Sequence, residues 1–374
     1  MDFELSDEQA MLREASRDLL ADRASTAALR GQIDGSAEVD PVLWRLAAEL
    51  GWVGLLVPEE HGGSGQGLVE LSIVAEEIGR SVARGPFLPT SVVARAVSSH
   101  AAPRLRAEVL PDLAEGTSWA TWALAEPGQK WTLDGIRTTA RVEGDSVLLT
   151  GTKTAVQDAD GARWLLVTAV EEGRPASYLV DRRAPGVQVR RQRSLDLTRT
   201  FSEVGLSDVR VPLTHRLDGG SEEIQQLLDD ACVLLAAETL GTLERMLELT
   251  VDYVRVRQQF GRPIGSFQAV KQACSTMAMQ MLGARAVTYS AAMAADAGTA
   301  DAGQAACVAA AFTSGVAGDV AGQALQLHGG IGFTWEHDLH LFLRRAKADA
   351  VLYGDAPVHR ERLSTLVRAR RDVA

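Results

Sequence analysis

The residues of this chain best placed to do chemistry lie in two glycine-bearing segments of its last third. In RQQFGRPIGSFQ (257–268) a long helix is expected to end at Gly261, with Arg257 in its last turn, Phe260 three residues on, and Gln268 opening the next helix. A guanidinium, an aromatic ring and an amide at a helix start can together clamp a phosphate and stack a planar ring. The competing reading is that Arg257 complements the helix C-terminus while Phe260 and Phe267 are core. In QLHGGIGFTWEHDLHLFLRRAK (326–347) the Gly329-Gly330 pair lets backbone approach a ligand closely, and Gln326 supplies a polar group beside it.

Other constellations offer less. GGSGQG (62–67) is not G-x-G-x-x-G, follows no strand and lacks the ending of a phosphate loop, which leaves a flexible turn. His328, His337 and His340 contain one i, i+3 pair, but no H-E-x-x-H or C-x-x-C frames them, so no metal site is expected. There is no G-x-S-x-G elbow. Cys232, Cys274 and Cys307 form neither a C-x-x-C nor a disulfide framework and read as small apolar fillers in a reducing cytoplasm.

The elements that must position these segments fall into three blocks. Residues 1–116 read as helical, beginning with a possible cap at Ser6 and an apolar stripe of Met11, Leu12, Leu19 and Leu20; Pro103 is expected to separate two short helices. Residues 117–218 are short segments rich in Val, Leu, Thr and Trp, punctuated by Gly, Asp and Pro, with no helix-length run between them. That texture predicts a β-barrel or sandwich, not a doubly wound sheet. Residues 219–374 return to longer helices, with Leu240, Leu243, Leu247, Val251 and Val254 spaced by three or four and an Ala/Gly-rich stretch over 303–327. The expected class is mainly α with a central β domain: an N-terminal helical domain, a middle β domain and a C-terminal helical bundle.

The composition narrows the function. The chain has 374 residues, 46% of them hydrophobic, and a net charge of −11, which argues against a surface built to displace counterions from a nucleic-acid duplex. No strictly apolar stretch approaches the roughly 18 residues of a membrane span. MDFELSDEQ is acidic where a secretory signal would be basic, so a cytoplasmic protein is expected.

With VPEEHGG (57–63), the two glycine-bearing segments and the helix–β–helix order, the chain resembles the acyl-CoA dehydrogenase family of flavoproteins across essentially its whole length. The resemblance implies a dimer of dimers whose protomers each carry an N-terminal helical domain, a central β domain and a C-terminal four-helix bundle. FAD would lie between the β domain and the bundle of one subunit, with the neighbour completing its adenosine and pyrophosphate end. By motif, Arg257, Phe260, Gln268, Gln326 and Gly330 would reach FAD across the interface. Leu124-Ala125-Glu126-Pro127 resembles the family's T-E-P stretch, so the backbone of Leu124 and Ala125 would face the flavin. The implied reaction is α,β-dehydrogenation of an acyl-CoA thioester: a carboxylate takes the α proton, a hydride leaves the β carbon, and electrons pass on to an electron-transfer flavoprotein or other acceptor.

The sequence departs from the family's pattern where the chemistry is done. The family's Y-E-G-T base falls on Tyr353, and the alternative E-R pair falls on Ala231 and Cys232. A flavin-covering tryptophan becomes Ala155. Replacement carboxylates are Glu238, on a helix face with Thr242 and Arg245, and Asp355, in the right loop; Asp229 and Asp230 read as charges near a helix N-terminus. Three readings follow. The chain is one subunit of a heteromeric acyl-CoA dehydrogenase acting on bulky CoA thioesters such as steroid side chains; or it is a self-sufficient homo-oligomer with its base at Glu238 or Asp355; or it is a non-catalytic acyl-CoA-binding homologue without FAD. Joint loss of the base, of the E-R pair's arginine, which in the family helps hold the substrate, and of the tryptophan favours the first.

Overall fold

The computed structural model describes residues 4–34 and 39–373. Helix α1 (Asp7–Arg23) begins at the expected cap: Ser6 Oγ accepts from the Gln9 N–H at 3.2 Å and Gln9 Oε1 accepts from the Ser6 N–H at 3.0 Å. Then come α2 (Thr26–Asp34), α3 (Pro41–Glu49), α4 (Leu68–Ser81), α5 (Phe87–His100) and α6 (Pro103–Ala114). The two short helices expected on either side of Pro103 are α5 and α6, and Pro103 itself is the first residue of α6, where its missing N–H costs nothing.

The middle block is a single seven-stranded curled sheet. Its strands are β1 (Ala120–Ala123), β2 (Thr139–Glu143), β3 (Ser146–Gln157), β4 (Trp164–Glu171), β5 (Arg174–Asp181), β6 (Val187–Gln192) and β7 (Phe201–Pro212). The order is β1-β4-β2-β3-β7-β6, with β5 on β4; β4 runs parallel to β1 and β2 while the other pairs are antiparallel. Val147, Leu149, Val167, Tyr178, Val204 and Leu206 fill the hollow of the sheet.

The bundle consists of α7 (Ser221–Val256), α8 (Gln268–Asp296), α9 (Ala302–His328), α10 (Leu339–Asp349) and α11 (Ala356–Val373). Between α7 and α8 the chain makes a hairpin of β8 (Gln258–Gln259) and β9 (Arg262–Pro263). By length and composition alone, Ala302–Phe333 could cross a bilayer, but α9 packs on α7, α8 and α11, and this packing accounts for its small apolar residues.

The helical blocks meet through glycine. A Cβ on Gly79 would lie 1.8 Å from the Glu238 carbonyl oxygen, and one on Gly241 would lie 1.8 Å from that of Glu76, so α4 and α7 cross backbone against backbone. Thr242 Oγ1 donates to the Gly79 carbonyl at 3.1 Å across this crossing. The GGSGQG stretch is a packed turn and the start of α4. A Cβ on Gly63 would meet the Val57 carbonyl at 2.1 Å, and the α4 N-terminus is capped by Asp296 of α8, which accepts from Leu68 N–H at 2.7 Å and Val69 N–H at 2.9 Å. One continuous core runs from α3–α6 through Trp122 and Trp164 to Leu227–Ala236 of α7 and on to Leu352 and Tyr353.

Candidate functional site

A crevice of about 1290 Å³ opens between the first turns of α7, the rim of the sheet, the α8–α9 turn and α11. Trp131, Val233 and Tyr353 are among its lining residues, as are Asp229, Asp230 and Arg362. Tyr353 stands where the resemblance puts the family's base. Its backbone is left-handed, φ 59°, an outlier for a bulky residue that costs about 1–3 kcal/mol and persists only where its surroundings hold it. Gln157 Nε2 donates to the Tyr353 hydroxyl at 2.9 Å. Trp131 meets the Tyr353 ring edge-on at 5.2 Å and Trp122 tilts over it at 6.4 Å. The Cys232 thiol donates to the Tyr353 carbonyl at 3.8 Å. Burial raises the hydroxyl above its ordinary value, so it stays protonated and cannot serve as a base.

The carboxylates expected to replace the base are engaged elsewhere. Glu238 is 2% exposed and held by two buried guanidiniums, Arg345 and Arg199, the latter at 2.5 Å. It does not line the crevice, so the geometry leaves it no free oxygen to offer a substrate. Asp355 is exposed and caps α11, accepting from the Val358 N–H at 3.1 Å. Asp229 and Asp230 correct the reading of helix-start charges: they lie in the third turn of α7, buried and ion-paired, whereas Glu222 and Glu223 supply the first-turn acids. Asp229 takes both arms of Arg362, and Arg95 Nε donates to Asp230 Oδ2 at 2.6 Å. Burial pushes Asp230 up to about 6 against the pull of Arg95. It already carries its own cation, Arg95.

The proposed cofactor-facing residues of the bundle form an open rim. Phe260 is 91% exposed with φ 53°, which excludes the core reading for that ring. Phe267 is half-buried under Arg262, whose guanidinium lies 4.2 Å from the ring centre. Arg257, Gln268, Gln326 and Gly330 are also exposed, and among the described residues no ion pair or hydrogen bond engages the side chains of the three polar ones. A Cβ on Gly330 would meet nothing within 4 Å. Such a rim suits the polar arm of a dinucleotide. Beside it, His328 stacks on Tyr253 at 4.6 Å and meets His337 at 4.7 Å, and His340 stacks on Trp335 at 4.7 Å, so the histidines serve as packed rings.

The inner end behaves differently. The carbonyls of Leu124 and Ala125 are already bonded, by Lys153 Nζ at 3.1 Å and the Thr154 N–H at 2.9 Å. Lys153 is buried against Glu126 at 2.7 Å, and burial lowers it to about 8 against that carboxylate's pull. Gln157, Trp131 and Trp122 each meet Tyr353, so the side chain at the position of the family's base is packed on three sides. Trp131 and Gln157 were not singled out in the sequence; Trp131 lies in a stretch that departs from the family's pattern, and only the contact with Tyr353 brings the two residues to attention.

Comparison with known proteins agrees with the geometry. Residues 6–117 match the acyl-CoA dehydrogenase N-terminal domain and residues 218–366 the acyl-CoA dehydrogenase C-terminal domain. The chain is 32% identical over 351 residues to the acyl-CoA dehydrogenase IpdE2 of Mycolicibacterium smegmatis, covering 94% of this chain and 96% of that protein. It is 34% identical to IpdE2 of Mycobacterium tuberculosis, covering 92% and 93%. Among solved structures it is similar to the Tcur3481-Tcur3483 steroid ACAD (TM-score 0.91, 32% identity, 98% of this chain and 99% of that one). It is also similar to the ChsE4-ChsE5 complex from Mycobacterium tuberculosis (TM-score 0.92, 27% identity, 98% and 99%).

Proposed function

The chain belongs to the acyl-CoA dehydrogenase family, FAD-dependent oxidoreductases acting on the CH–CH group of an acyl-CoA, and from that membership we propose that it is the base-less subunit of a heteromeric member. It lends Arg257, Phe260, Gln268, Gln326 and Gly330 to FAD held by a partner chain, and the partner supplies the carboxylate that takes the α proton. FAD, when bound there, accepts the hydride.

The observation that carries this reading is the Tyr353–Gln157 bridge. The phenol of Tyr353 stands where the resemblance puts the base and is bonded to the Gln157 amide, while Arg257, Phe260, Gln268 and Gln326 are exposed and so open to a neighbour's cofactor. The homo-oligomeric alternative puts the base at Glu238 or Asp355, and both of these are engaged elsewhere. A bulky, polycyclic acyl group is the substrate class, supported by similarity to a steroid ACAD, and assembly with a second chain is supported by similarity to a two-chain complex.

The test is co-purification with a base-containing homologue. The assembled enzyme should hold one FAD per pair of unlike chains and bleach it on addition of acyl-CoA, while this chain alone should not. If the isolated chain binds stoichiometric FAD and reduces it with acyl-CoA, the proposal fails.

A further inference from the structure

Behind the turn that carries Tyr353 lies a charge cluster that the crevice does not use. Arg345 on α10, 1% exposed, donates to Asp196 and Thr198 of the β6–β7 loop, to Glu238 of α7, and to the carbonyls of Val82, Ala83 and Thr198. Arg199, from the same loop, lies 2.5 Å from Glu238 and 2.8 Å from Asp349 at the end of α10. Thr239 Oγ1 donates to Asp349 Oδ2 at 3.3 Å. Arg84, also buried, and Asp158 adjoin Asp196 and Arg345, so four carboxyls face three guanidiniums. An uncompensated carboxylate is costly where water cannot reach it, so one of the four is best kept protonated.

The contacts single out which one. Glu238 touches Arg199 and Arg345, and Asp196 has Arg345 together with the N–H and hydroxyl of Thr198. Asp158 is only half-buried and accepts from the Thr200 hydroxyl at 2.6 Å, whereas Asp349 has the Thr239 hydroxyl at 3.3 Å and a single guanidinium, Arg199, whose approach is not aligned as a hydrogen bond on either atom. Burial raises the Asp349 carboxyl well above the ordinary carboxylate range; Glu238 and Asp196 add to this and Arg199 and Arg345 oppose it.

Asp349 also borders a cavity of about 20 Å³, room for one water. Leu352, Gly354 and His359 line the same cavity, so it touches both the carboxyl and the underside of the Tyr353 turn. α9 presents only the hydroxyls of Thr313 and Ser314 there, and α7 adds the Cys232 thiol. On α11, His359 Nε2 lies 3.1 Å from the Gly354 carbonyl, and burial disfavours its charged form.

We propose that Asp349 is a positioning residue for the 350–355 turn. With its carboxyl protonated the junction is balanced and the turn holds Tyr353 across the crevice; when the proton leaves, an unmatched carboxylate behind the turn loosens it and opens the inner end. This rests on reading Tyr353 as the residue that closes the crevice. The test uses neither flavin nor substrate, so its outcome is separate from that of the heteromeric reading.

Hydrogen–deuterium exchange of the full chain, corrected for intrinsic rates, would be followed from about pH 6 to about pH 9. The amides of Ala350, Val351, Leu352 and Gly354, all hydrogen-bonded here, should lose about tenfold in protection across that range while α7 and α9 stay protected. Asp349→Asn should hold protection at its low-pH level throughout. Should that variant not fold, Glu238→Gln removes one neighbouring negative charge and should shift the midpoint to higher pH if the turn follows overall junction stability, or to lower pH if it follows the Asp349 proton. Only the shift to lower pH supports the proposal. Protection of the turn that is independent of pH in the wild type, or pH dependence unchanged in Asp349→Asn, would overturn it.

Discussion

Asp230 shows how one side chain's surroundings set its chemistry. Its folded value of about 6 lies above the unfolded carboxylate range, so between about pH 4 and pH 6 the folded chain binds the extra proton. Stability contributed by this group is therefore present at low pH and lost as the pH rises through about 6. Relative to Asp230→Asn, the wild type should lose about 3 kcal/mol across that window, read from urea unfolding at several pH values. A parallel pair of curves would mean that Arg95 fully neutralises the burial cost. The sequence placed Asp230 near a helix start but could not show its burial, because Arg95 is 135 residues away on α5. The clamping of Glu238 was hidden for the same reason: both of its guanidinium partners are remote in sequence, and a carboxylate on a helix face looks alike whether it is free or clamped.

At the scale of elements, the glycine crossing and the hairpin behave oppositely. Alanine normally stabilises a helix over glycine by roughly 1 kcal/mol. Gly241→Ala should instead destabilise by about 2 kcal/mol or more, seen as a lower Tm, because the new methyl would meet the Glu76 carbonyl. Phe260→Ala should leave Tm unchanged, since its ring packs on no core, yet lower the FAD content of the assembled enzyme. The helices that the sequence made legible were those with caps and clear apolar spacing, such as α1, α4 and α7. α11 went unread because its arginine-rich sequence has few apolar positions; Val358, Leu363 and Leu366 are only half-buried. The rim residues stand out in the sequence by their motifs, and the structure finds them exposed. The bridge does not stand out, because Gln157 and Tyr353 lie 196 positions apart.

Over the whole molecule, Arg345 ties the three blocks together, with partners after α4, in the sheet's long loop and on α7. Arg345→Met would leave Asp196 with no direct ion pair and Glu238 with Arg199 only, and should cost about 3–5 kcal/mol in denaturant unfolding, with the helical and β signals still changing together. A transition that split in two would show that the shared core, not this arginine, couples the blocks. The Asp296 cap on α4 has a different consequence. The glycine-rich turn before it is exposed at Gly62, Ser64, Gly65 and Gln66, and so is open to a protease. Yet the segments on either side are pinned separately, one by the buried α3–α6 interior and the other by a carboxylate from 228 residues further on. A cut chain should therefore run as two fragments under denaturing conditions and as one particle under native ones, a nicked protein that does not come apart.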